Sequence, residues 1–309
     1  MASCEKGELP VAKADRGGST VTTLDLGTEY RNQIWYKLHG DRIVSTNIKT
    51  DWDLQFEAGD KGNHVVLNSA KLMFALNTHK LNMSDVTDTV GFEMNKACDR
   101  ITTLDSTVLG IFENNSTVYL IDLGVDEDGK KLGMRKLQFV ENTPTQFRFQ
   151  HSKIDGSDLQ SVSFAKSDNY NFLQFSFAKN QLQSNIEPPK NDYDLVFTQY
   201  THVFENPYQP YLVAGVLLNR NKVRAVHVEG KTFDNVSLQD TLKFPLSTLV
   251  NAIGYNWKYY NFTTSLYQVR PEYVYLIQDV EGYFYKLHFL DFYSNTGQKG
   301  FPKFEFRRL

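Results

Sequence analysis

The stretch Val274-Tyr275-Leu276-Ile277, followed by Glu281-Gly282 and then by Tyr283-Phe284-Tyr285-Lys286-Leu287-His288-Phe289, decides the reading of the chain. Short runs of β-branched and aromatic residues fit a pleated, half-buried surface, and an acidic residue before glycine between two such runs predicts a hairpin. The same four letters stand at Val118-Tyr119-Leu120-Ile121, ahead of the turn residues Asp128-Gly129 and of Arg135-Lys136-Leu137-Gln138-Phe139. Working outward, Asp51-Trp52-Asp53-Leu54-Gln55-Phe56 is matched by Asp192-Tyr193-Asp194-Leu195-Val196-Phe197, and Val66-Leu67-Asn68 by Leu217-Leu218-Asn219. Phe147-Arg148-Phe149 and Phe304-Glu305-Phe306 close the two series. Five landmarks in one order predict an internal duplication, with spacing differences small enough for loops to absorb.

The fold expected from this pattern is mostly β, antiparallel and sandwich-like, in two tandem repeats with one or two short helices. The expected divisions are a flexible tether over 1–25, a first β repeat over 26–155 and a second over 156–309. Period-two alternation puts Trp52, Leu54 and Phe56 on one face and Asp51, Asp53 and Gln55 on the other, which makes Asp53 a turn or edge hydrogen-bonder. One helix is expected after Phe244-Pro245, with Leu246, Leu249, Val250 and Ile253 as its apolar face and Gly254 as its stop. The segments 69–117 and 220–270 are the least regular.

Composition narrows the function classes. Lys plus Arg number 33 and Asp plus Glu 36, a net charge of −3, without the basic excess of a nucleic-acid binder. The longest apolar stretch, near Tyr211–Leu218, is about half of the roughly 20 residues that a membrane-spanning helix needs. Two cysteines, Cys4 and Cys98, make neither a disulfide framework nor a paired-cysteine zinc site. Aromatic residues at 14%, with 17 Tyr and 22 Phe, favour sheet surfaces over helical bundles.

Met1-Ala2-Ser3-Cys4 looks like the end of a bacterial lipobox, in which small residues precede a cysteine that receives the lipid. The charged, glycine-bearing stretch from Glu5 to Gly18 then reads as a tether, and charged residues just after such a cysteine resemble a surface-display signal of Gram-negative bacteria. Lipidation at Cys4 would be the anchor.

The succession Trp-Asp-Leu-x-Phe, Leu-Asn, Val-Tyr-Leu-Ile, hairpin, Lys-Leu-x-Phe and Phe-x-Phe resembles the HmuY-like family of bacterial surface lipoproteins. Tyr273–Phe306, including Asp291-Phe292-Tyr293 and Gly300-Phe301-Pro302, is the strongest part of the match, and Asp51–Asn68 the next. The resemblance implies an all-β, non-enzymatic protein of the outer membrane, exposed on the cell surface, that binds haem beside a TonB-dependent transporter. It also implies one such unit in a typical member and two in this chain. Its axial ligands would come from the irregular segment between the Leu-Asn and Val-Tyr-Leu-Ile landmarks. By type and location the candidates are His79, Met83 and Met94 in the first half and His227 in the second, with His202 as a further histidine.

Other chemistry fares less well. Asp126-Glu127-Asp128-Gly129 has the residues of a calcium-loop fragment but lacks a distal glutamate, and a hairpin turn explains it. Asp51 and Asp53 could be drawn as a paired-carboxylate site, yet no separate sugar cleft accompanies them. No nucleophile elbow, phosphate loop or His-Glu-x-x-His motif is present, and Cys98 reads as a small buried residue. His227, in Val226-His227-Val228, is expected to face solvent. Asp88-Thr89-Val90, Asp105-Ser106-Thr107 and Asp240-Thr241-Leu242 resemble bacterial O-glycosylation acceptors. Three binding roles remain: a haem or iron carrier; an accessory protein-binding subunit of an outer-membrane complex without haem; and a glycan binder using Trp257, Tyr259 and Tyr260. Substituting Cys4→Ala in cells is expected to move the protein from the membrane to the soluble fraction, read by immunoblot of the two; retention in the membrane would exclude the lipid anchor.

Overall fold

The computed structural model describes residues 17–309, so Cys4 and most of the expected tether lie outside the described residues. Three strands come first: β1 (Thr20–Thr23), β2 (Asn32–Lys37) and β3 (Arg42–Ile48). Six follow: β4 (Leu54–Glu57), β5 (Val65–Leu67), β6 (Phe74–Asn77), β7 (Val118–Asp122), β8 (Met134–Asn142) and β9 (Gln146–Ser152). A second triplet comprises β10 (Gln160–Ala165), β11 (Phe172–Ser176) and β12 (Gln181–Leu182). The chain ends with β13 (Leu195–Glu205), β14 (Tyr208–Leu218), β15 (Arg224–Val228), the hairpin β16 (Lys258–Asn261) and β17 (Leu266–Val269), β18 (Val274–Gln278), β19 (Phe284–Tyr293) and β20 (Lys299–Arg308).

These strands make two face-to-face sandwiches of antiparallel sheets. In one, the order β12-β11-β4-β5 faces β10-β9-β8-β7-β6; in the other, β14-β13-β2-β3 faces β1-β20-β19-β18-β15. Leu54, Phe56, Ile121, Leu137, Phe139, Phe147, Phe149 and Phe175 fill the first core. Tyr36, Leu195, Phe197, Tyr275, Ile277, Leu287, Phe289, Phe304 and Phe306 fill the second. The repeated letters therefore serve the same purpose twice, because each apolar residue must meet the same face of a sheet.

The sandwiches do not divide along the chain as the sequence suggested. β1 pairs with β20 and β2 with β13, so the first triplet completes the second sandwich. β10 pairs with β9 and β11 with β4, so the second triplet completes the first. The expected boundary at 155/156 falls inside a hairpin, with Gln160 opposite His151. The first sandwich is a continuous stretch of about 50–189; the second is assembled from both ends of the described chain. Residues 20–25 of the expected tether belong to the fold, because Thr20–Thr23 is a paired strand and Leu24 is buried.

Asp53 and Asp194 stitch each triplet to its sandwich. The Asp53 backbone N–H donates to the Phe175 carbonyl at 2.8 Å, and its carboxylate accepts from the Phe177 N–H at 2.7 Å and from Lys71. Asp194 repeats this with the Tyr36 carbonyl at 2.8 Å and the Leu38 N–H at 2.8 Å, and adds the Val280 N–H at 3.0 Å. Asn68 and Asn219 each donate to two loop carbonyls behind these aspartates, at 2.7–2.8 Å. Asp53 is thus buried, not the edge group expected from alternation, because the neighbouring strand and Lys71 cover that face. Trp52 leaves the face of Leu54 and Phe56 as well: its ring joins Trp35, Ile186, Tyr193 and Val196 in a cluster between the sandwiches.

The expected helix after Pro245 is absent. Ser247 exchanges both backbone hydrogen bonds with Ala225, and Gly254 does so with Val216, so the segment pairs along exposed sheet edges. Those edges offer unpaired backbone groups, which outcompete a short helix. Gly254, at φ +63°, lies so close to Gly215 that a Cβ on Gly215 would come within 2.6 Å of its carbonyl oxygen. The one α-helix among the described residues is the single turn Phe92–Asn95.

The exchange of triplets predicts which fragment folds. Residues 50–189 expressed alone should give a β-rich circular dichroism spectrum and one cooperative thermal transition. Residues 26–155, which lack β10, β11 and β12, should not. The opposite result would mean that the exchanged strands are dispensable.

Candidate ligand-binding cleft

The two sandwiches share a scaffold but not their elaborations. β4 and β5 have 4 and 3 residues, whereas their counterparts β13 and β14 have 11 each. β13 pairs with β2 only through Leu195, Val196 and Phe197, so its outer half stands clear of the sheet as a two-stranded arm. The second sandwich also carries the β16–β17 hairpin between β15 and β18, where the first has turns and the Phe92–Asn95 helix. Tyr267 fastens this hairpin by donating its N–H to the Tyr293 hydroxyl at 2.7 Å and by packing edge-on against Phe292.

Between the arm and the hairpin lies a cleft of about 610 Å³. Volumes of roughly 300–1,000 Å³ are usual for small-molecule sites. Phe204 and Tyr211 contribute from the arm, and Tyr259, Tyr260, Phe262 and Tyr267 from the hairpin. Several of these rings are open to solvent, with Tyr211 53% and Phe262 87% exposed. Apolar rings left uncovered around a concavity mark a binding surface. Beneath them, Trp257 stacks on Phe289 with ring centroids 3.8 Å apart, and belongs to the core. Lys258 is buried beside it, its ammonium 4.3 Å from the Trp257 ring and 4.7 Å from that of Phe292, donating to the Ala214 carbonyl. Burial pushes its pKa down to about 7.

His202 packs against residues that line this cleft. It sits opposite Tyr211 in the arm, with its ring 4.7 Å from Phe204 and 4.9 Å from Tyr255, both of which line the concavity. Burial holds its pKa below the usual histidine value, which favours the neutral imidazole that can coordinate a metal.

The first-half ligand candidates do not line one cavity. His79, exposed and at φ +58°, borders a separate cleft of about 550 Å³ with Asp85 and Asp88. Met83 packs against the cluster of Val86, Phe92, Val118 and Leu120. The Lys136 ammonium takes the carbonyls of Met83 and Val86 at 2.8 and 2.7 Å, as Lys286 takes those of Phe233 and Val236 in the other sandwich. Met83 thus stands where the scaffold has Phe233, a packing position. Met94, on the single helical turn, is 86% exposed. His227 does not face solvent as alternation suggested. It is half-buried, with its ring stacked on Tyr273 at 4.1 Å, because the loop around Tyr273 folds over that face.

The remaining candidates are structural. Asp126 caps its own turn by accepting from the Asp128 and Lys130 N–H groups. Asp51 accepts from the Ile48 N–H, and Asp53 is taken by Lys71, so the two carboxylates face different partners. Cys98 is buried, and burial pushes its thiol pKa up. Of the three acceptor-like triplets, Asp240 is buried in a capping box with Ser237 and an ion pair with Lys231. Sequence reading singled out Trp257, Tyr259 and Tyr260 but missed Tyr211, Phe262 and Arg270. The density of aromatics over 255–267 was the available signal for Phe262; Tyr211 joins only through the arm.

Fold and cleft together define an all-β, duplicated double-sandwich protein that presents an aromatic pocket. The chain belongs to the HmuY protein family, whose model matches residues 29–306 in one span that runs through both sandwiches. Solved structures similar to it include the apo HmuY analogue TFO of Tannerella forsythia, 10% identical with a TM-score of 0.35, the match covering 95% of this chain and 98% of that one. Apo PinO from Porphyromonas gingivitis is another, at 8% identity and a TM-score of 0.31, covering 95% of this chain and 98% of that one. No curated protein matches the chain.

Met83 and Met94 can be told apart by stability. Met83→Ala should lower unfolding free energy by about 1–2 kcal/mol through lost packing, whereas Met94→Ala should leave it within about 0.5 kcal/mol. Urea titrations of the two variants measure this.

Proposed function

We propose that this protein is a lipid-anchored, cell-surface carrier of the outer membrane whose cargo is a flat aromatic molecule, with haem the first candidate, delivered to a TonB-dependent transporter. The observation that carries the reading is the aromatic cleft between the β13–β14 arm and the β16–β17 hairpin. It is built from elements that the first sandwich lacks, so these residues are not there to complete the shared scaffold. Family membership supports haem as the cargo, and Cys4 is the residue that would hold the lipid. His202 is the protein ligand that would be offered to the iron here: its imidazole packs against Phe204 and Tyr255, which line the cleft. His79, Met83 and Met94 remain the alternative ligand set.

Titration of haemin into the full chain, followed through the Soret band under oxidising and reducing conditions, tests the reading. A saturable band is expected, weakened and shifted in His202→Ala and unaffected in the triple Ala variant of His79, Met83 and Met94. No saturable band in the wild type would overturn haem carriage.

A second reading rests on Tyr259, Tyr260 and Phe262, whose exposed rings could stack on sugar faces. Retardation in polysaccharide-containing native gels, abolished by Tyr260→Ala with Phe262→Ala, would favour glycan binding instead.

A further inference from the structure

Several strands of the second sandwich end together where the described chain begins. Thr20 pairs with Phe306, and Gly17 and Gly18 line one concavity of about 360 Å³ with His39, Asp41, Arg307 and Arg308. Arg308 lies opposite Tyr285 and Arg224 opposite Gln278, at the same end of the sheet β1-β20-β19-β18-β15. The facing sheet contributes Arg42, opposite Lys37 at the β2–β3 turn, and Lys222 just past the end of β14. The Lys37–Glu281 ion pair at 2.9 Å and the Val280 N–H on Asp194 join the two sheets here. Arg42, Lys222, Arg224 and Arg307 are exposed, and half-buried Arg308 lies 3.6 Å over the Tyr283 ring. None of these five cations has an ion-pair partner among the described residues. Of the acidic side chains nearby, Glu281 is taken by Lys37, Asp41 accepts from the hydroxyls of Thr22 and Tyr36, and Asp192 is exposed in the loop before β13. The chain as a whole carries −3, so the positive excess is local to this end and orients the molecule in front of a negative surface.

The aromatic cleft sits at the other end of the same strands. β19 runs from Tyr285, opposite Arg308, to Tyr293, whose hydroxyl holds the β16–β17 hairpin. β13 likewise runs from Leu195, beside Tyr36, out to the tip of the arm. Resting on Cys4 as the lipid anchor, we propose that the basic end is the membrane-facing surface of the protein. Its cations sit on the phosphates of anionic lipid headgroups, and the cleft is held away from the bilayer. From Cys4 to Gly17 a fully extended chain reaches at most about 45 Å, so an anchored molecule keeps this end near the membrane. Between those residues Lys6, Lys13 and Arg16 are balanced by Glu5, Glu8 and Asp15, so the electrostatic pull comes from the folded end and not from the connecting segment. Basic residues add their attraction to an anionic bilayer, and they do so only within about a Debye length of it, a proximity that the lipid supplies.

The test uses the full chain with Cys4→Ala, so that binding reads the folded surface without the lipid. Co-sedimentation at low salt with vesicles of phosphatidylcholine is compared with vesicles containing 30% phosphatidylglycerol. Affinity for the anionic vesicles is expected to be about tenfold or more the higher, and to be lost at high salt. The triple variant Arg42→Gln, Arg307→Gln and Arg308→Gln should largely abolish the difference. A charge-matched control on the first sandwich, Lys61→Gln with Lys130→Gln and Lys131→Gln, should keep it, with thermal melts confirming that both triples fold. Orientation is read with a fluorophore on Gly18→Cys or Phe262→Cys and a quencher on the lipid headgroup: the first should be quenched and the second not. Equal binding of the starting protein to both vesicles would overturn the membrane-facing surface, whatever the fate of the lipid anchor in cell fractionation. Equal losses in the two triple variants would overturn the assignment to these arginines, and quenching at Phe262 equal to that at Gly18 would overturn the orientation.

Discussion

Two buried aspartates hold the architecture together. Asp53 and Asp194 each bind the backbone of a strand contributed from elsewhere in the chain: Phe175 and Phe177 in one sandwich, Tyr36 and Leu38 in the other. A buried carboxylate is tolerable only if its oxygens are filled, and each of these takes one backbone donor from an exchanged triplet beside Lys71 or the Val280 N–H. Burial raises the pKa of Asp194, and the N–H groups of Leu38 and Val280 pull the other way. Removing a triplet would leave one buried carboxylate short of a donor and a row of backbone groups unsatisfied at once, so strand exchange and aspartate burial depend on each other.

From that constraint follows the asymmetry of the molecule. The first sandwich is closed by strands close in sequence, the second by strands from the far end of the described chain. Each is a filled core, and the cross-sandwich cluster of Trp35, Trp52, Ile186, Tyr193 and Val196 locks one against the other. Function then has to be added outside the cores. The second sandwich does this by lengthening one hairpin into an arm and inserting another opposite it. Most cleft residues therefore sit on paired strands, whose backbones are fixed by ladder hydrogen bonds, with Phe262 in the hairpin turn and Arg270 just past β17.

The cleft combines features that are separately unremarkable: exposed rings, and a histidine packed against two residues of its lining. Rings alone would suit a sugar or a macrocycle equally. The methionines of the first half, by contrast, divide between packing and exposure.

Period-two patterning and repeated words were enough to establish the β class, the duplication and the hairpins around Val118–Ile121 and Val274–Ile277, since local alternation and turn residues act over a few positions. The family resemblance was legible for the same reason: the words that carry it are scaffold words. Partner choice between strands was not legible. Nothing in Thr20–Thr23 or Gln160–Ala165 says which of two similar edges each will join, and that choice fixes the limits of both sandwiches. Asp53 looked exposed because alternation speaks only of one strand, while its burial is decided by the strand beside it. The helix expected after Pro245 failed likewise, because Ala225 and Val216 offered sheet edges that no local pattern records. The cleft belongs to this second group: Tyr211 and Arg270 are nearly 60 residues apart, and only the pairing of arm and hairpin brings them to one cavity. Sequence determined what each segment is; tertiary structure decided what it touches, because contact between distant segments depends on which edges pair and not on the letters within either one.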